Sequence, residues 1–401
     1  MELKKIMIFA YDINPLLGSE AGVAYKWVKI ISKYYYVELV TDSKHKNALL
    51  KCPLENVNYN FIELKGILCR ILRKLKLYNV LNLIFISKTK NDILKRKLSI
   101  DKIKLIHCLN PAGIHSFNDL YKLGIPVVIG PLGGALLLPD GFKRYQSIKN
   151  ILRDAYYNYI KLFSSWRNYY VNSKKVIIGT QHLSQQLPLE CIHKTTVLFD
   201  TTVDTEIFYP KIRDNSNKIV ILYCGRLELE KGCMLLLEAF KNLRNKGYFN
   251  IRLDMLGSGK RYSEIERFIK KNSLDECVNC IGAVSHDKIP EYMQNSHIFC
   301  LPTLREPGGT VILEAMSCEL PIVTTNYGGP AFSVNKDCGI KIEPKSFDTF
   351  IEDLTSALEY LINNEDVRLA MGEKGRRRII EEFSVKALEN KIKNLYNDVV
   401  G

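Results

Sequence analysis

The sequence predicts an α/β protein made of two doubly wound domains, each a parallel sheet covered by helices. Short apolar runs of strand length alternate along the chain with longer segments of helical periodicity, and this alternation is typical of parallel sheets. A length of 401 residues with 46% hydrophobic residues is sufficient for two cores of ordinary size. We therefore expect domains at 1–205 and 206–383 that face each other across a cleft, followed by a last helix at 384–401.

Positive charge is concentrated in the first half of the chain. Residues 1–205 hold 30 Lys and Arg against 15 Asp and Glu, whereas residues 206–401 hold 27 against 28. The whole chain has a formal net charge of +14, and a basic half predicts an anionic partner. Because no helix-turn-helix, zinc-finger or RNA-binding signature accompanies the charge, we expect an anionic membrane surface and no nucleic acid.

Neither a membrane span nor a metal site is predicted. No apolar run approaches the ~18 to 20 residues of a span, and no cleavage site follows the short apolar run at 6–10. The eleven cysteines are scattered, and the Cys277-x-x-Cys280 pair has no partner pair at zinc spacing. We therefore expect free thiols in a reducing cytoplasm.

The first domain begins with a buried strand and a glycine-containing loop. Its strands are expected at 4–10, 37–41, 104–107, 126–129, 176–179 and 195–198. The loop after the first strand contains Gly18, Ser19 and Glu20 and leads into a helix. No GxGxxG fingerprint stands there, which argues against a dinucleotide site. A glycine loop at a helix N-terminus suits an anion or a sugar, and a plain strand-to-helix turn is the alternative.

Two basic stretches of the first domain have helical periodicity. The stretch 65–104 holds 12 Lys and Arg, and five of its apolar residues recur at helical spacing: Ile67, Leu68, Ile71, Leu72 and Leu75. Such a helix either lies in the headgroup layer of an anionic membrane or packs on the core with a solvated basic back. The stretch 140–172 is aromatic and basic, and we expect its apolar side chains to pack in the core, with membrane or acceptor contact as the alternative.

Polar and glycine residues follow two strands of the first domain. His107 ends one strand and Asn110 follows it, at the carboxyl end where α/β proteins bind ligands. A lone histidine there can equally be structural. The next strand ends in a Gly-Pro loop that includes Gly133 and Gly134. A loop without bulky side chains lets a sugar approach closely, and a tight turn is the alternative.

The second domain begins with a strand at 219–224 and a cationic loop. Arg226 and Lys231 both lie between this strand and the following helix. Two cations on one loop can neutralise a departing diphosphate, since arginine offers a planar fork and lysine a compact point charge. A later strand at 278–283 ends near Gly282.

The stretch 300–330 runs strand, glycine turn, helix, strand and glycine pair. Glu306 precedes the turn Pro307-Gly308-Gly309-Thr310, and Glu314 lies on the helix that begins near Thr310. Such a turn presents backbone amides and the positive end of a helix to a phosphate. Carboxylates accept hydrogen bonds from vicinal diols, which ribose and hexoses both offer.

Two motifs carry a resemblance to a known family. The pair Glu306 and Glu314, separated by seven residues, resembles the Glu-x7-Glu motif of retaining GT-B glycosyltransferases, in particular glycosyltransferase family four, also called glycosyl transferases group 1. The segment 225–232 is similar to that family's Gly-Arg-Leu-x-x-x-Lys-Gly. The second domain matches in order and spacing, and the first only by strand order and loops. Gly308 and Thr310 depart from the family, which usually has an aromatic and a small apolar residue there, and this affects which sugar fits.

The resemblance implies a GT-B fold, a nucleotide-diphosphate sugar as co-substrate, retention of anomeric configuration, and neither cofactor nor metal. It implies that Arg226 and Lys231 hold the diphosphate, that Glu306 grips hydroxyls of the donor sugar, and that Glu314 grips the ribose diol. Further donor contacts are implied for a set of loop residues: Gly18, Gly225, Gly282, Pro307, Gly308, Gly309 and Thr310.

The resemblance also implies roles for the first domain. His107 would neighbour the catalytic centre, although the second histidine of many relatives is replaced here by Leu109. The acceptor-side candidates are Ser19, Glu20, Asn110, Gly133 and Gly134. The last helix, 384–401, would cross back to the first domain.

The function implied is transfer of a sugar to a lipid-linked oligosaccharide during synthesis of bacterial surface polysaccharide (capsule, O-antigen or exopolysaccharide). The basic half without a span predicts a cytoplasmic enzyme that is peripheral at the inner face of the membrane. One alternative is a non-catalytic, nucleotide-binding, membrane-associated protein on the same scaffold. A two-domain dehydrogenase or epimerase is disfavoured by the missing GxGxxG.

Overall fold

The computed structural model describes residues 3–17, 19–74, 78–96, 102–133, 136–146, 148–213 and 218–400. The chain forms two compact units. The first comprises Met1–Ala135, Ile148–Asp200 and Glu389–Gly401, and the second comprises Leu136–Ser147 and Thr201–Leu388. The segment Leu136–Ser147 lies inside the predicted first domain yet belongs to the second unit, and no break in composition marks it.

The first unit is a parallel sheet with helices. Its strands are β1 (Lys5–Ala10), β2 (Tyr36–Asp42), β3 (Val57–Ile62), β4 (Ile103–Asn110), β5 (Val127–Leu132), β6 (Lys175–Ile178) and β7 (Thr195–Val197). Its helices are α1 (Ser19–Ile31), α2 (Lys46–Lys51), α3 (Ile67–Lys74), α4 (Tyr78–Arg96), α5 (Ile148–Ile160) and α6 (Ser164–Val171). The strand order is β3-β2-β1-β4-β5-β6-β7, and the pairs are parallel.

The second unit repeats this plan. Its strands are β8 (Ile219–Cys224), β9 (Ile251–Leu256), β10 (Val278–Gly282), β11 (Ile298–Leu301), β12 (Ile322–Thr325) and β13 (Gly339–Ile342). Its helices are α7 (Cys233–Asn245), α8 (Tyr262–Lys271), α9 (Ile289–Gln294), α10 (Thr310–Ser317), α11 (Gly328–Ser333), α12 (Phe347–Asn363) and α13 (Glu365–Arg378). The final helix, α14 (Val385–Val400), belongs to the first unit from Glu389 onward. The strand order is β10-β9-β8-β11-β12-β13, again with parallel pairs.

The interior strands of both sheets are built from residues that are buried on both faces. Five of the six residues of β1 are buried, as are all four residues of β11 and of β12, and these are apolar and β-branched runs that suit a sheet covered by helices. The predicted fold class, two parallel-sheet Rossmann-like domains, is confirmed.

Each sheet has one position where the chain order reverses. In the first sheet β1 stands between β2 and β4, and in the second β8 stands between β9 and β11. The connections on the two sides of such a position lead in opposite directions, which opens a crevice at the carboxyl ends of the two strands. These two crevices are where ligand-binding loops are expected.

The aromatic, basic stretch 140–172 differs from the prediction. Phe142 is buried in the second unit, with its ring 5.6 Å from that of Phe350, and Trp166 is buried in the first unit. Helix α5 between them exposes its apolar residues: Ile148 is 76% exposed, Leu152 65% and Tyr159 58%. The prediction that this stretch packs in the core is therefore wrong for α5, because the apolar side of this helix faces solvent.

The basic stretch 65–104 forms α3 and α4. In α3, Ile67, Leu68 and Ile71 are 74%, 61% and 48% exposed, while Leu72 is buried. Leu75, which the sequence analysis includes in the same apolar periodicity, lies outside the described residues. Among the helices that the structure describes, none is both long enough and apolar enough to cross a membrane.

Candidate functional site

The crevice of the second sheet lies between the loops that leave β8 and β11. The first loop carries Arg226 and Lys231, and the second carries Glu306 and the glycine turn. Because β8 and β11 are adjacent, their carboxyl ends bring the two loops side by side. Arg226, Lys231 and Glu306 with its glycine turn, which the sequence places in one donor site, are therefore on neighbouring loops.

Glycines end three adjacent strands of this sheet and let their loops touch. The amide of Gly257 donates to the carbonyl of Gly282 at 2.8 Å, and the amide of Gly225 donates to the carbonyl of Leu256 at 3.0 Å. A Cβ on Gly257 would lie 1.9 Å from the carbonyl oxygen of Gly225, and Gly257 has a φ of +138°. Only glycine fits such a close approach of two backbones.

Arg226 follows Gly225 on the cationic loop. The hydroxyl of Tyr223 donates to its carbonyl oxygen at 2.9 Å, which fixes the backbone at this point. The Arg226 side chain is 68% exposed, and its guanidinium lies 3.1 Å from the Glu228 carboxylate. The arginine is thus anchored at its backbone, and its exposed guanidinium pairs with Glu228 within reach of solvent.

Lys231 is more enclosed and is paired with Glu306. Its ammonium contacts the Glu306 carboxylate, and the two side chains are 12% and 18% exposed. The residue after it, Gly232, has a φ of +70° and would place a Cβ 2.0 Å from the carbonyl oxygen of Pro302. This close approach holds the lysine loop against the end of β11.

Glu306 also turns back on its own loop. Its other carboxylate oxygen accepts hydrogen bonds from the amides of Gly308 at 3.2 Å and Gly309 at 3.0 Å. These amides lie at the N-terminus of α10, where the helix dipole favours negative charge. From the sequence we expected these amides to bind a phosphate. In the structure they donate instead to the Glu306 carboxylate, which also contacts Lys231.

The glycine pair at the start of α11 is explained by this loop. The amide of Gly329 donates to the carbonyl of Glu306 at 2.8 Å. A Cβ on Gly328 would lie 2.5 Å from that carbonyl oxygen, and a Cβ on Gly329 would lie 2.5 Å from the carbonyl oxygen of Pro307. Because Gly328 and Gly329 have no side chains, the start of α11 can pack directly against the backbone of the Glu306 loop.

Gly308 marks the departure from the family pattern. A Cβ on this residue would lie 3.1 Å from the hydroxyl of Thr201. Thr310 is exposed at the first turn of α10. A bare backbone therefore stands at Gly308, where the family usually has an aromatic side chain, and a hydroxyl at Thr310, where it usually has a small apolar one.

Glu314 lies on α10 and is buried, with its carboxylate 2.9 Å from Nε2 of His286. Burial raises the pKa of this carboxyl, and the hydrogen bond from His286 opposes that effect. His286 was not among the predicted residues. Its position four residues after Gly282, beyond the carboxyl end of β10, is the feature of the sequence that could have drawn attention to it.

The crevice of the first sheet holds a second polar cluster. The side chain of Asn110 binds the backbone of Asp12, accepting from its amide at 3.1 Å, and so ties the loop after β4 to the loop after β1. The Asp12 carboxylate lies 2.6 Å from Nε2 of His45 and 2.9 Å from Nζ of Lys44. These contacts, led by the His45 hydrogen bond, lower the pKa of Asp12 to about 2. The sequence analysis missed Asp12 and His45.

The other acceptor-side candidates lie near this cluster in part. Glu20 accepts a hydrogen bond from the amide of Ala112 at 2.7 Å, and the amide of Gly133 donates to the carbonyl of Ala112 at 3.0 Å. Ser19 begins α1. The predictions for Gly18 and Gly134 lie outside the described residues.

His107 has no exposed surface. Its Nε2 lies 2.6 Å from the carbonyl oxygen of Gly130, and its Nδ1 contacts the hydroxyl of Tyr396 on α14. A carbonyl only accepts, so Nε2 carries the proton and Nδ1 accepts from the tyrosine. Burial lowers the pKa of His107 to about 4. This placement favours a structural role over the catalytic one that the resemblance implies.

No group of three or more His, Cys, Asp or Glu side chains arranged to hold a metal ion occurs among the described residues. All eleven cysteines are free thiols. Arg226 and Lys231 are two cationic side chains that the loop after β8 places at the second crevice.

Two Rossmann-like domains, each with such a crevice, are the architecture that GT-B glycosyltransferases have. Residues 204–378 match the family model described as "Glycosyl transferases group 1". The chain thus carries a glycosyl transferases group 1 domain, which contains the loops of Arg226, Lys231, Glu306 and Glu314.

Relatives of the chain include named glycosyltransferases. The capsular polysaccharide biosynthesis glycosyltransferase CapM of Staphylococcus aureus is 31% identical over 198 residues, which is 48% of this chain and 48% of that protein. The chain spans about half to two thirds of the length of the curated relatives it matches: 48%, 65% and 56% for three of them.

Solved structures share the fold along the whole chain. Sucrose-phosphate synthase of Thermosynechococcus elongatus has a TM-score of 0.65 at 17% identity, covering 99% of each chain. The Anabaena protein HepE in complex with UDP has a TM-score of 0.63 at 16% identity, covering 98% of this chain and 100% of that one. These likenesses show the GT-B glycosyltransferase fold.

Proposed function

We propose that the chain is a retaining glycosyltransferase of family four that uses a nucleotide-diphosphate sugar. The observation that carries this proposal is the joining of Lys231, Glu306 and the amides of Gly308 and Gly309 at the N-terminus of α10, beside the loop of Arg226. This is a built anion site next to an exposed arginine, at the crevice where α/β sheets bind nucleotides.

In the proposed donor site, the Glu306 carboxylate has to be displaced before a diphosphate can bind. A diphosphate that takes the amides and Lys231 displaces the Glu306 carboxylate, because both anions need the same donors. The released carboxylate then accepts hydrogen bonds from hydroxyls of the sugar that the diphosphate carries. Lys231 and Arg226 neutralise the charge that develops on the leaving diphosphate, and Glu314 accepts hydrogen bonds from the ribose diol.

Metal independence and retention belong to the same proposal. Two cationic side chains at the crevice supply the charge that a divalent ion supplies in enzymes with an Asp-x-Asp motif, and this sequence has no such motif. Retention is tested directly by the anomeric configuration of the product, read from the proton coupling of the transferred sugar.

The acceptor is assigned to the first unit. Asp12 is 39% exposed and ionised at neutral pH, and Asn110 fixes its backbone at the crevice between β1 and β4. A fixed carboxylate of this kind accepts hydrogen bonds from sugar hydroxyls. With Glu20 and Gly133 nearby, we assign an oligosaccharide acceptor, lipid-linked and on the path to a surface polysaccharide, as the capsular relative suggests.

Membrane docking through the first unit is supported by exposed apolar side chains next to basic ones. In α3, Ile67, Leu68 and Ile71 are exposed beside Arg70 and Lys74. Helix α5 adds the exposed side chains of Ile148 and Leu152. Such faces insert into the headgroup layer of anionic lipids, which fits an enzyme that is peripheral at the inner face of a cytoplasmic membrane.

The test is a transfer assay on the full chain with UDP-, GDP-, ADP- and dTDP-sugars and a lipid extract in the presence of EDTA. We expect one donor class to release nucleoside diphosphate and label the lipid fraction. Glu306→Ala should abolish transfer with the fold intact, whereas the control Glu238→Ala, which removes a solvated partner of Lys241 on α7, should not. Normal turnover by Glu306→Ala contradicts the proposal, and nucleotide binding without turnover points to the non-catalytic alternative.

A further inference from the structure

Glu314 is the buried carboxylate of the proposed donor site, and its partner is a histidine that lies mostly in solvent. The side chain of His286 is 66% exposed and that of Glu314 is 7% exposed, with 2.9 Å between Nε2 and Oε1. An ionised carboxylate only accepts, so Nε2 of His286 donates. An exposed side chain usually has rotational freedom, which would make it a poor anchor.

The structure removes that freedom through Phe208. The ring of Phe208 meets the ring of His286 edge to face, with 5.4 Å between centroids, and Phe208 itself is 2% exposed. Edge-to-face contacts of this kind favour one orientation of the ring. The imidazole is thus held from its side while its Nε2 points at Glu314.

Phe208 is in turn fixed to the helix that carries Glu314. The hydroxyl of Ser317, one turn along α10, donates to the carbonyl oxygen of Phe208 at 2.6 Å. Arg376 donates to the same oxygen at 3.3 Å. Contacts therefore run from α10 through Phe208 and His286 and back to α10 at Glu314.

We propose that His286 is a positioning residue that holds the Glu314 carboxylate correctly turned to accept hydrogen bonds from both hydroxyls of a ribose diol. The inference rests on the proposed function, since it concerns the nucleoside of that donor site. One lone pair of Oε1 is used by His286, and the remaining lone pairs of the two oxygens stay available to the diol. His286 thereby contributes to discrimination between ribose and deoxyribose without touching the nucleotide.

The ligand class is a ribonucleoside diphosphate, and the 2′-deoxy counterpart provides the control. A nucleotide without the 2′-hydroxyl cannot make the paired contact, so it does not benefit from a well-oriented carboxylate. Loss of His286 should therefore weaken binding of the ribonucleotide more than binding of the deoxyribonucleotide. If His286 had only a structural role, its loss would weaken binding of both nucleotides equally.

The experiment titrates UDP, GDP and ADP, and dUDP, dGDP and dADP, into the full chain by calorimetry. For the wild type we expect one base to bind, with the ribo form about tenfold or more tighter than the deoxy form, because a missing hydroxyl leaves a buried acceptor unpaired. His286→Ala should weaken binding of the ribo form by roughly five- to tenfold, the net effect of one ordinary hydrogen bond, and change binding of the deoxy form by less than about twofold.

Two further variants control the interpretation. His286→Gln keeps an N–H donor at similar reach and should restore most of the ribo preference. His193→Ala removes an exposed histidine of the first unit and should leave both affinities unchanged. Because His286 is exposed, His286→Ala should fold, which its unfolding temperature checks.

The outcomes separate the two proposals. Equal weakening of ribo and deoxy forms in His286→Ala, or an unchanged ribo preference, overturns the positioning role while leaving the donor site in place. dTDP, which also lacks the 2′-hydroxyl, is titrated alongside: binding of dTDP alone overturns the inference and leaves the proposed transfer in place, whereas failure of the wild type to bind dTDP or any of the six nucleotides overturns both.

Discussion

Replacing Lys231 by alanine tests the anion site at its centre. Lys231 is 12% exposed and contacts a Glu306 carboxylate that is 18% exposed, so both charges lie where water screens them weakly. In the resting protein Glu306 keeps its two amide hydrogen bonds when the lysine is lost. The cost to the free energy of unfolding is therefore about 1 to 2 kcal/mol, below the ~3 to 5 kcal/mol of a fully buried pair.

The cost in the transition state is larger. In the proposed reaction the lysine faces the charge that develops on a departing diphosphate, and loss of one such donor costs ~2 to 4 kcal/mol. This corresponds to a fall in kcat/KM of roughly 30- to 1000-fold. Lys231→Ala should therefore be a folded protein with little activity.

The assay measures release of nucleoside diphosphate under kcat/KM conditions, with unfolding in urea measured on the same samples. Lys241→Ala is the matched control, because Lys241 forms a solvated pair with Glu238 at 2.7 Å on α7. We expect this control to keep wild-type activity. A folded Lys231→Ala variant whose kcat/KM stays within about threefold of the wild type would refute the assignment of Lys231 to the leaving group.

Three other perturbations test separate parts of the structure. Gly232→Ala should lower the free energy of unfolding by about 2 kcal/mol or more, measured in urea, because the residue has a φ of +70° and its new Cβ would lie 2.0 Å from a carbonyl oxygen. Burial lowers the pKa of His107 to about 4. Because this histidine keeps its ordinary pKa in the unfolded chain, the unfolded chain binds the proton at a higher pH than the folded protein does. The free energy of unfolding therefore falls as pH drops from about 6.5 to about 4, by at most about 1.4 kcal/mol per pH unit. His107→Gln should lack this slope in pH-dependent denaturation, and an unchanged slope would contradict the buried neutral histidine. Leu152→Glu should reduce flotation with phosphatidylglycerol vesicles, whereas Leu369→Glu, at an exposed site of the second unit, should not.

Residues whose partners are close in sequence could be predicted from the sequence. Glu306 and its glycine turn are separated by only two to three residues, and the helix that carries Glu314 follows directly. The strand ends at Gly225 and Gly282 also followed from local pattern, because parallel strands are apolar runs with glycine at their ends.

Contacts between distant segments could not be predicted in the same way. His45 meets Asp12 because β1 and β2 are adjacent, and the loop that carries His45 has no recognisable motif. His286 meets Glu314 across 28 positions. The same lack of local information explains α5, whose apolar periodicity predicts a core-facing helix although Ile148 and Leu152 are exposed; periodicity identifies an apolar face but not what covers it.

At Glu306 the motif in the sequence left the geometry open. The sequence places a carboxylate, a lysine and helix-terminal amides in one region, and any of these donors can serve either anion. Only the structure shows the carboxylate seated on the amides of Gly308 and Gly309. Displacement of this carboxylate by a diphosphate is therefore the step on which the account of the donor site depends.

A thermal-shift measurement of the full chain with UDP, GDP, ADP and dTDP in EDTA tests the central claim most directly. A ligand at a hundred times its dissociation constant stabilises a protein by ~2.7 kcal/mol, which is readable as a rise in unfolding temperature. The account predicts a rise with one nucleotide without metal, abolished in Lys231→Ala and preserved in Lys241→Ala. No rise with any of the four, or a rise that Lys231→Ala retains in full, would contradict it.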